Sequence, residues 1–175
     1  KFNFKNVKNI FLKVRNFAGT PFRGWCGPST LKIIFDYYGL ILPEKKLVKL
    51  CKTTREKGTT VQNIKAVAKN LGFKVKVQDN SNFEEIYKWL QKGVPVIVDW
   101  FTRGRNDYRD SDVAGGHYSV VMGLDKKYIY ISDPEIGRVR KMERKDFLSV
   151  WFDFPEIYPQ KQKDFILRRT IVIYK

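Results

Sequence analysis

The apolar positions of this chain follow mostly a helical period in the first half and a strand pattern in the second. Leu31, Ile34, Phe35 and Tyr38 recur at i, i+3, i+4 and i+7, the stripe of a helix with one buried face. Gly27-Pro28-Ser29 precedes them. A proline costs nothing in a first turn, where its missing N–H has no partner to lose, and Gly39 stands where a left-handed cap closes a helix. Two further helices are predicted. Pro43 to Cys51 carries Leu47, Val48 and Cys51 on one side, and Thr60 to Leu71 carries Val61, Ile64, Val67, Ala68 and Leu71, with Gly72 after it. Phe73 to Val77 alternates apolar residues with lysine, as a strand with one wet face does. Asn82 then caps a helix through Leu90, with Glu85 as its capping-box partner.

Beyond Leu90 the helical period gives way. Val94-Pro95-Val96-Ile97-Val98 is a continuous apolar run of β type, and a polar loop rich in Arg, Asp and Gly follows from Thr102 to Gly116. His117 to Leu124, a turn at Asp125-Lys126-Lys127 and Tyr128 to Ser132 read as a hairpin. Arg138 to Met142 adds a strand, Lys145 to Trp151 a short helix and Thr170 to Tyr174 a terminal strand. Helices first and strands later predict an α+β fold, with a helical half packed on an antiparallel sheet. A length of 175 residues fits one domain over residues 1–175. No apolar run approaches the roughly 20 residues that span a bilayer. The first residues, from Lys1, do not resemble a signal peptide; a trimmed start would look the same, so the cellular site stays open.

Composition narrows the chemistry. There are two cysteines, Cys26 and Cys51, and one histidine. That argues against a disulfide framework and a structural zinc site and excludes a multi-histidine metal centre, so neither metal nor cofactor is expected. The net charge of +16 favours anionic partners. Yet Lys45-Lys46, Lys74 and Lys76, Lys126-Lys127 and Arg168-Arg169 lie in different segments. A solvated basic surface with weak attraction to anionic surfaces is predicted, with no specific nucleic-acid site.

Cysteine chemistry needs a thiolate, a base and a group that orients the base. Cys26 precedes the first helix, whose unpaired N–H groups and macrodipole favour a thiolate and can face a developing oxyanion. Gly27 is expected to leave the approach open. His117 follows Gly115-Gly116, glycines that would let a substrate backbone come close, and it begins a strand. Asp133, in Ser132-Asp133-Pro134, ends the partner strand. With the turn centred on Lys126, residues near 117 and 133 meet at one end of the hairpin, where Asp133 can accept the imidazole N–H. Each residue has a plainer reading: Cys26 and His117 as core residues, Asp133 as a turn former. Cys51, among leucines, reads as core. Trp25 and Trp100 either line a cleft or pack, Asp99 reads as an exposed strand end, and the loop over 102–116 is a gate or a surface loop.

At these residues the sequence resembles a family. Trp25-Cys26-Gly27-Pro28-Ser29-Thr30-Leu31, Tyr37-Tyr38-Gly39, Gly116-His117-Tyr118-Ser119-Val120-Val121 and Ser132-Asp133-Pro134 look like the papain-like cysteine peptidases that include the double-glycine leader peptidases of bacteriocin exporters. The resemblance runs from about Pro21 to Trp151, in matching order. It implies a triad of Cys26, His117 and Asp133 and a peptide or protein substrate; Trp25, beside the nucleophile, and Gly116, before the histidine, are the candidate substrate-binding positions. One position departs. The family's oxyanion-donating glutamine, six residues before the cysteine, is Thr20 here, so Thr20, or else Arg23 or Trp25, has to serve as donor. The leading expectation is hydrolysis or acyl transfer through a Cys26 thioester. A peptide-binding domain of weak or no activity and an anionic-surface binder are the competing readings.

Overall fold

The computed structural model describes residues 8–22, 24–102, 116–154, 161 and 164–175. Most of the loop over 102–116, and Arg23 with it, lies outside the described residues. The elements in chain order are β1 (Ile10–Phe11), α1 (Cys26–Tyr37), α2 (Glu44–Leu50), α3 (Val61–Asn70), β2 (Lys74–Gln78), α4 (Phe83–Gln91), β3 (Val96–Phe101), β4 (Gly116–Leu124), β5 (Tyr128–Asp133), β6 (Arg138–Glu143), α5 (Arg144–Val150), β7 (Phe152–Asp153), β8 (Ile166–Leu167) and β9 (Thr170–Tyr174). Local chemistry explains several boundaries. Thr60 caps α3 by accepting the Asn63 N–H at 3.2 Å, and Asn82 caps α4 by accepting that of Glu85 at 2.9 Å. Gly39 closes α1 with φ +79°, a conformation glycine adopts without steric cost.

Strands β2, β9, β3, β4, β5 and β6 lie side by side in one antiparallel sheet, and β1 pairs with the far end of β4. Helices cover both faces of it, which gives the expected α+β arrangement of helices packed on an antiparallel sheet. Residues of α1, α2 and α3, among them Leu31, Ile34, Phe35, Leu47, Ile64 and Ala68, pack with Ile97, Val120, Ile171 and Ile173. On the other face Ile86 and Leu90 of α4 and Phe147 of α5 pack with Val96, Val98, Trp100, Val121 and Val172. A strand buried on both sides needs no polar alternation, so β3 reads as an unbroken apolar run. It begins after Pro95, which has no N–H for the ladder, and continues to Phe101 by pairing with β4 as far as Gly116. Burying one large aliphatic or aromatic side chain contributes about 1.5–3 kcal/mol; the first of these two cores is what holds α1 against β4. Among the described residues no helix is long and apolar enough to cross a membrane.

Candidate active site

Cys26 is the first residue of α1, and Trp25 is its N-cap without a side-chain capping bond. The tip is seated against the segment over 53–59. A Cβ on Gly27 would come 2.6 Å from Thr59 Cβ, and the Thr59 hydroxyl donates to the Gly24 carbonyl at 3.1 Å. Gly27 therefore permits close packing under the helix tip and does not clear an approach to the thiol. The Cys26 side chain is half-buried, whereas Cys51 is a buried core residue whose thiol burial pushes up to about 12. Trp25 is half-buried beside the exposed Phe22, with ring centroids 4.9 Å apart. Trp100, the other tryptophan considered for a cleft, is fully buried: its indole N–H donates to Ser119 Oγ at 3.1 Å and its ring meets His117 edge-on at 5.8 Å.

The hairpin of β4 and β5 brings His117 and Asp133 together in the core. Asp133 Oδ1 lies 2.8 Å from His117 Nε2 and also accepts the Glu135 backbone N–H at 3.0 Å. Its second oxygen, Oδ2, accepts from Arg140 Nε at 2.6 Å. Burial opposes charge on the imidazole, but the Asp133 charge and hydrogen bond, followed by those of Cys26, outweigh it and raise the histidine to about 10. The same partners act on Asp133 in reverse. Burial raises it, yet His117, Arg140 and the Glu135 N–H together hold it well below the usual carboxylate range. Nε2 faces Asp133, so the ring nitrogen that remains for Cys26 is Nδ1.

Asp99 and Asp153 form a second acidic site. Asp99, in β3, is 2% exposed and not an exposed strand end. It hydrogen-bonds the Asp153 carboxyl of β7, which requires one of the two to keep a proton. Burial, the Asp153 charge and the charge of Cys26 push Asp99 well above its ordinary value. Asp153 rises to about 6, chiefly by burial, against the Phe154 N–H and Arg169. Gly116 belongs to this arrangement. A Cβ there would overlap the Asp153 carboxyl, so the room beside Gly116 holds Asp153, not a substrate backbone as the sequence reading supposed.

Thr20 has a defined role in the structure. Its hydroxyl donates to Glu44 Oε2 at 2.6 Å and its N–H approaches both Glu44 oxygens at 3.2 Å. Ser29 of α1 donates to Glu44 Oε1 at 2.5 Å, and the Gly19 N–H donates to the Pro134 carbonyl at 2.7 Å. Buried Glu44 thus ties the strap before Cys26 to α1, and the hydroxyl named as an oxyanion donor is directed at that carboxyl. Sequence reasoning missed Arg140, Glu44 and the Asp99–Asp153 pair. For Arg140 there was a signal, since it shares strand parity with the buried Met142; for Glu44, in a row of charged helix residues, there was none. Among the described residues no cluster of His, Cys, Asp and Glu could hold a metal ion.

Comparison with known proteins bears on this geometry. The model of the peptidase C39 family matches residues 25–155. The transport/processing ATP-binding protein ComA of Streptococcus pneumoniae is 29% identical over 127 residues, which are 72% of this chain and 16% of that protein. This chain therefore spans about a sixth of the length of that curated relative. The crystal structure of the peptidase domain of a Streptococcus ComA superposes with a TM-score of 0.66 at 22% identity, covering 92% of this chain and 98% of that one. A double-glycine-motif protease from an AMS/PCAT transporter, in complex with its leader peptide, superposes at 0.60 with 19% identity over 95% and 98%. Both share the fold.

Proposed function

Because this chain belongs to the peptidase C39 family, we propose that it is a cysteine-dependent peptide hydrolase with Cys26 as nucleophile, His117 as base and Asp133 as orienter. The observation that carries the reading is the buried His117–Asp133 bond at 2.8 Å on a ring that also interacts with Cys26 at a helix tip. The Cys26 thiolate attacks the scissile carbonyl carbon, and the electron pair of the C=O moves to oxygen. The helix's first N–H groups face that oxyanion. On collapse the C–N bond breaks and His117 passes its proton to the leaving amine. Water then attacks the Cys26 thioester, His117 takes its proton, and the acid and the thiolate separate. Asp133 keeps the ring in one tautomer throughout. Trp25 and Phe22 offer an apolar ledge beside the nucleophile for substrate side chains. A peptide with a double-glycine leader, suggested by the leader-peptide complex of the AMS/PCAT transporter protease, is the substrate to try first.

One observation favours the second reading, a peptide-binding domain that cuts slowly or not at all. The Thr20 hydroxyl donates to Glu44, and losing one oxyanion donor costs about 10²–10³ in rate. Iodoacetamide labelling separates the two. A nucleophile requires Cys26 to be alkylated at neutral pH much faster than buried Cys51, together with a thioester trapped from an activated peptide ester. A chain that binds leader peptide but forms no thioester is the binding domain.

A further inference from the structure

We propose that Arg140 is a positioning residue for the Cys26 chemistry, holding the Asp133 carboxylate by its second oxygen so that the first stays aimed at His117. The inference rests on the triad reading above and adds a member that neither the sequence motifs nor the comparisons assign. Three observations carry it. Among the described residues Arg140 is the one buried Lys or Arg, 8% exposed on an edge strand whose neighbouring residues Arg138, Val139 and Lys141 are exposed. It does not sit opposite Asp133 in the ladder; Arg138 does, and Arg140 pairs with Ile131. The side chain reaches diagonally across to place Nε 2.6 Å from Oδ2. The carboxylate is thereby fixed at both oxygens, with His117 Nε2 and the Glu135 N–H on Oδ1. A charge-assisted bond to each oxygen fixes the plane of a carboxylate, which a single bond leaves free to turn. In a fully buried site that turn would take the acceptor away from the imidazole and admit water.

A structural role and a positioning role differ in sign. Were Arg140 only a counter-ion for Asp133, removing it would take away a cation that opposes charge on the imidazole, and His117 would hold its proton to higher pH. If Arg140 positions the carboxylate, removing it weakens the Oδ1–Nε2 bond, and His117 gives up its proton at lower pH. His117 is the only histidine of the chain, so one set of imidazole NMR signals reports the titration without ambiguity. The expected result is a fall of at least about one pH unit in Arg140→Met and Arg140→Gln, equivalent to a tenfold change in the proton equilibrium, with Arg140→Lys recovering at least half of it. A folded neutral variant whose histidine titrates at or above the wild-type midpoint overturns the proposal, as does a lysine variant that recovers nothing. In the wild type the Arg140 Nε–H should exchange with water as slowly as core amides. Exchange at the rate of a free guanidinium overturns the proposal even where the neutral variants do not fold. Failure of the triad reading registers elsewhere, as a wild-type Cys26 that iodoacetamide labels no faster than Cys51.

Discussion

Asp133 and Asp99 are both buried carboxyls, and they behave oppositely. Burial pushes both toward the protonated form. Asp133 meets an imidazole, a guanidinium and a backbone N–H, and stays ionised. Asp99 meets a second carboxyl, that of Asp153, with Arg169 as a more distant cation, and the pair keeps a proton. Desolvation is common to the two; the partners decide the charge. The first is a fixed anion that holds an imidazolium. The second is an acid pair that keeps one proton between two carboxyls, which spares a thiolate at Cys26 one further negative neighbour.

Exchange of charge for an amide should break this contrast most visibly in catalysis. Asp133→Asn removes the anion that orients His117 and is expected to slow acylation of Cys26 by a peptide ester about 10³–10⁴-fold. Asp99→Asn leaves a neutral, hydrogen-bonding group where a proton-sharing acid stood, and the same stopped-flow assay should change by less than about tenfold. Equal losses in the two variants would mean that Asp99 also bears on the reacting atoms.

Stability should separate the sites by sign. Asp133→Ala strands buried Arg140 and His117 and is expected to cost about 3–5 kcal/mol. Asp153→Asn should stabilise. In the unfolded chain this carboxyl ionises near its ordinary 3.8, while in the fold it holds its proton to about 6. Rising pH through that window therefore favours unfolding, and an amide abolishes the effect. Urea melts should show a gain of about 1–3 kcal/mol at pH 8 and none at pH 4. A destabilised Asp153→Asn at pH 8 would contradict the shared proton.

The pH dependence of the His117–Asp133 pair sharpens the comparison further. His117 is raised from 6.5 to about 10 in the fold, so its contribution is complete below pH 6.5 and disappears as pH rises through 10. Asp133 is lowered, so the same pair is complete above the ordinary carboxylate value and is lost as pH falls below it. The difference in melting temperature between wild type and His117→Gln should therefore be largest between those limits and shrink on either side. A difference that kept growing from pH 7 to 10 would run against the assigned direction.

The smallest effect is expected at Thr20. Since its hydroxyl is engaged by Glu44, Thr20→Ala should cost about 1–2 kcal/mol of stability and change acylation by no more than about threefold. A loss near 10²–10³ in rate would instead identify Thr20 as an oxyanion donor.

Periodicity located the elements well. Every helix and strand expected from the pattern is present, with α1, α3 and the β4–β5 hairpin displaced by a few residues at most. The two-residue strands β1, β7 and β8 were not legible, because two residues have no period, and neither was the bulge between Val121 and Gly123. Family membership could be read from short motifs because cysteine at a helix tip, histidine after glycine and aspartate before proline are local arrangements. The α+β class, the order of the elements and the hairpin that brings His117 and Asp133 together were all legible in the chain, since each depends on residues near one another along it. That Arg140 holds Asp133 across two strands, that Asp153 fills the room beside Gly116 and that Glu44 takes the hydroxyl of Thr20 became visible with the fold. Those contacts join side chains from distant segments, and whether a buried carboxyl keeps its charge depends on which groups the fold brings to it.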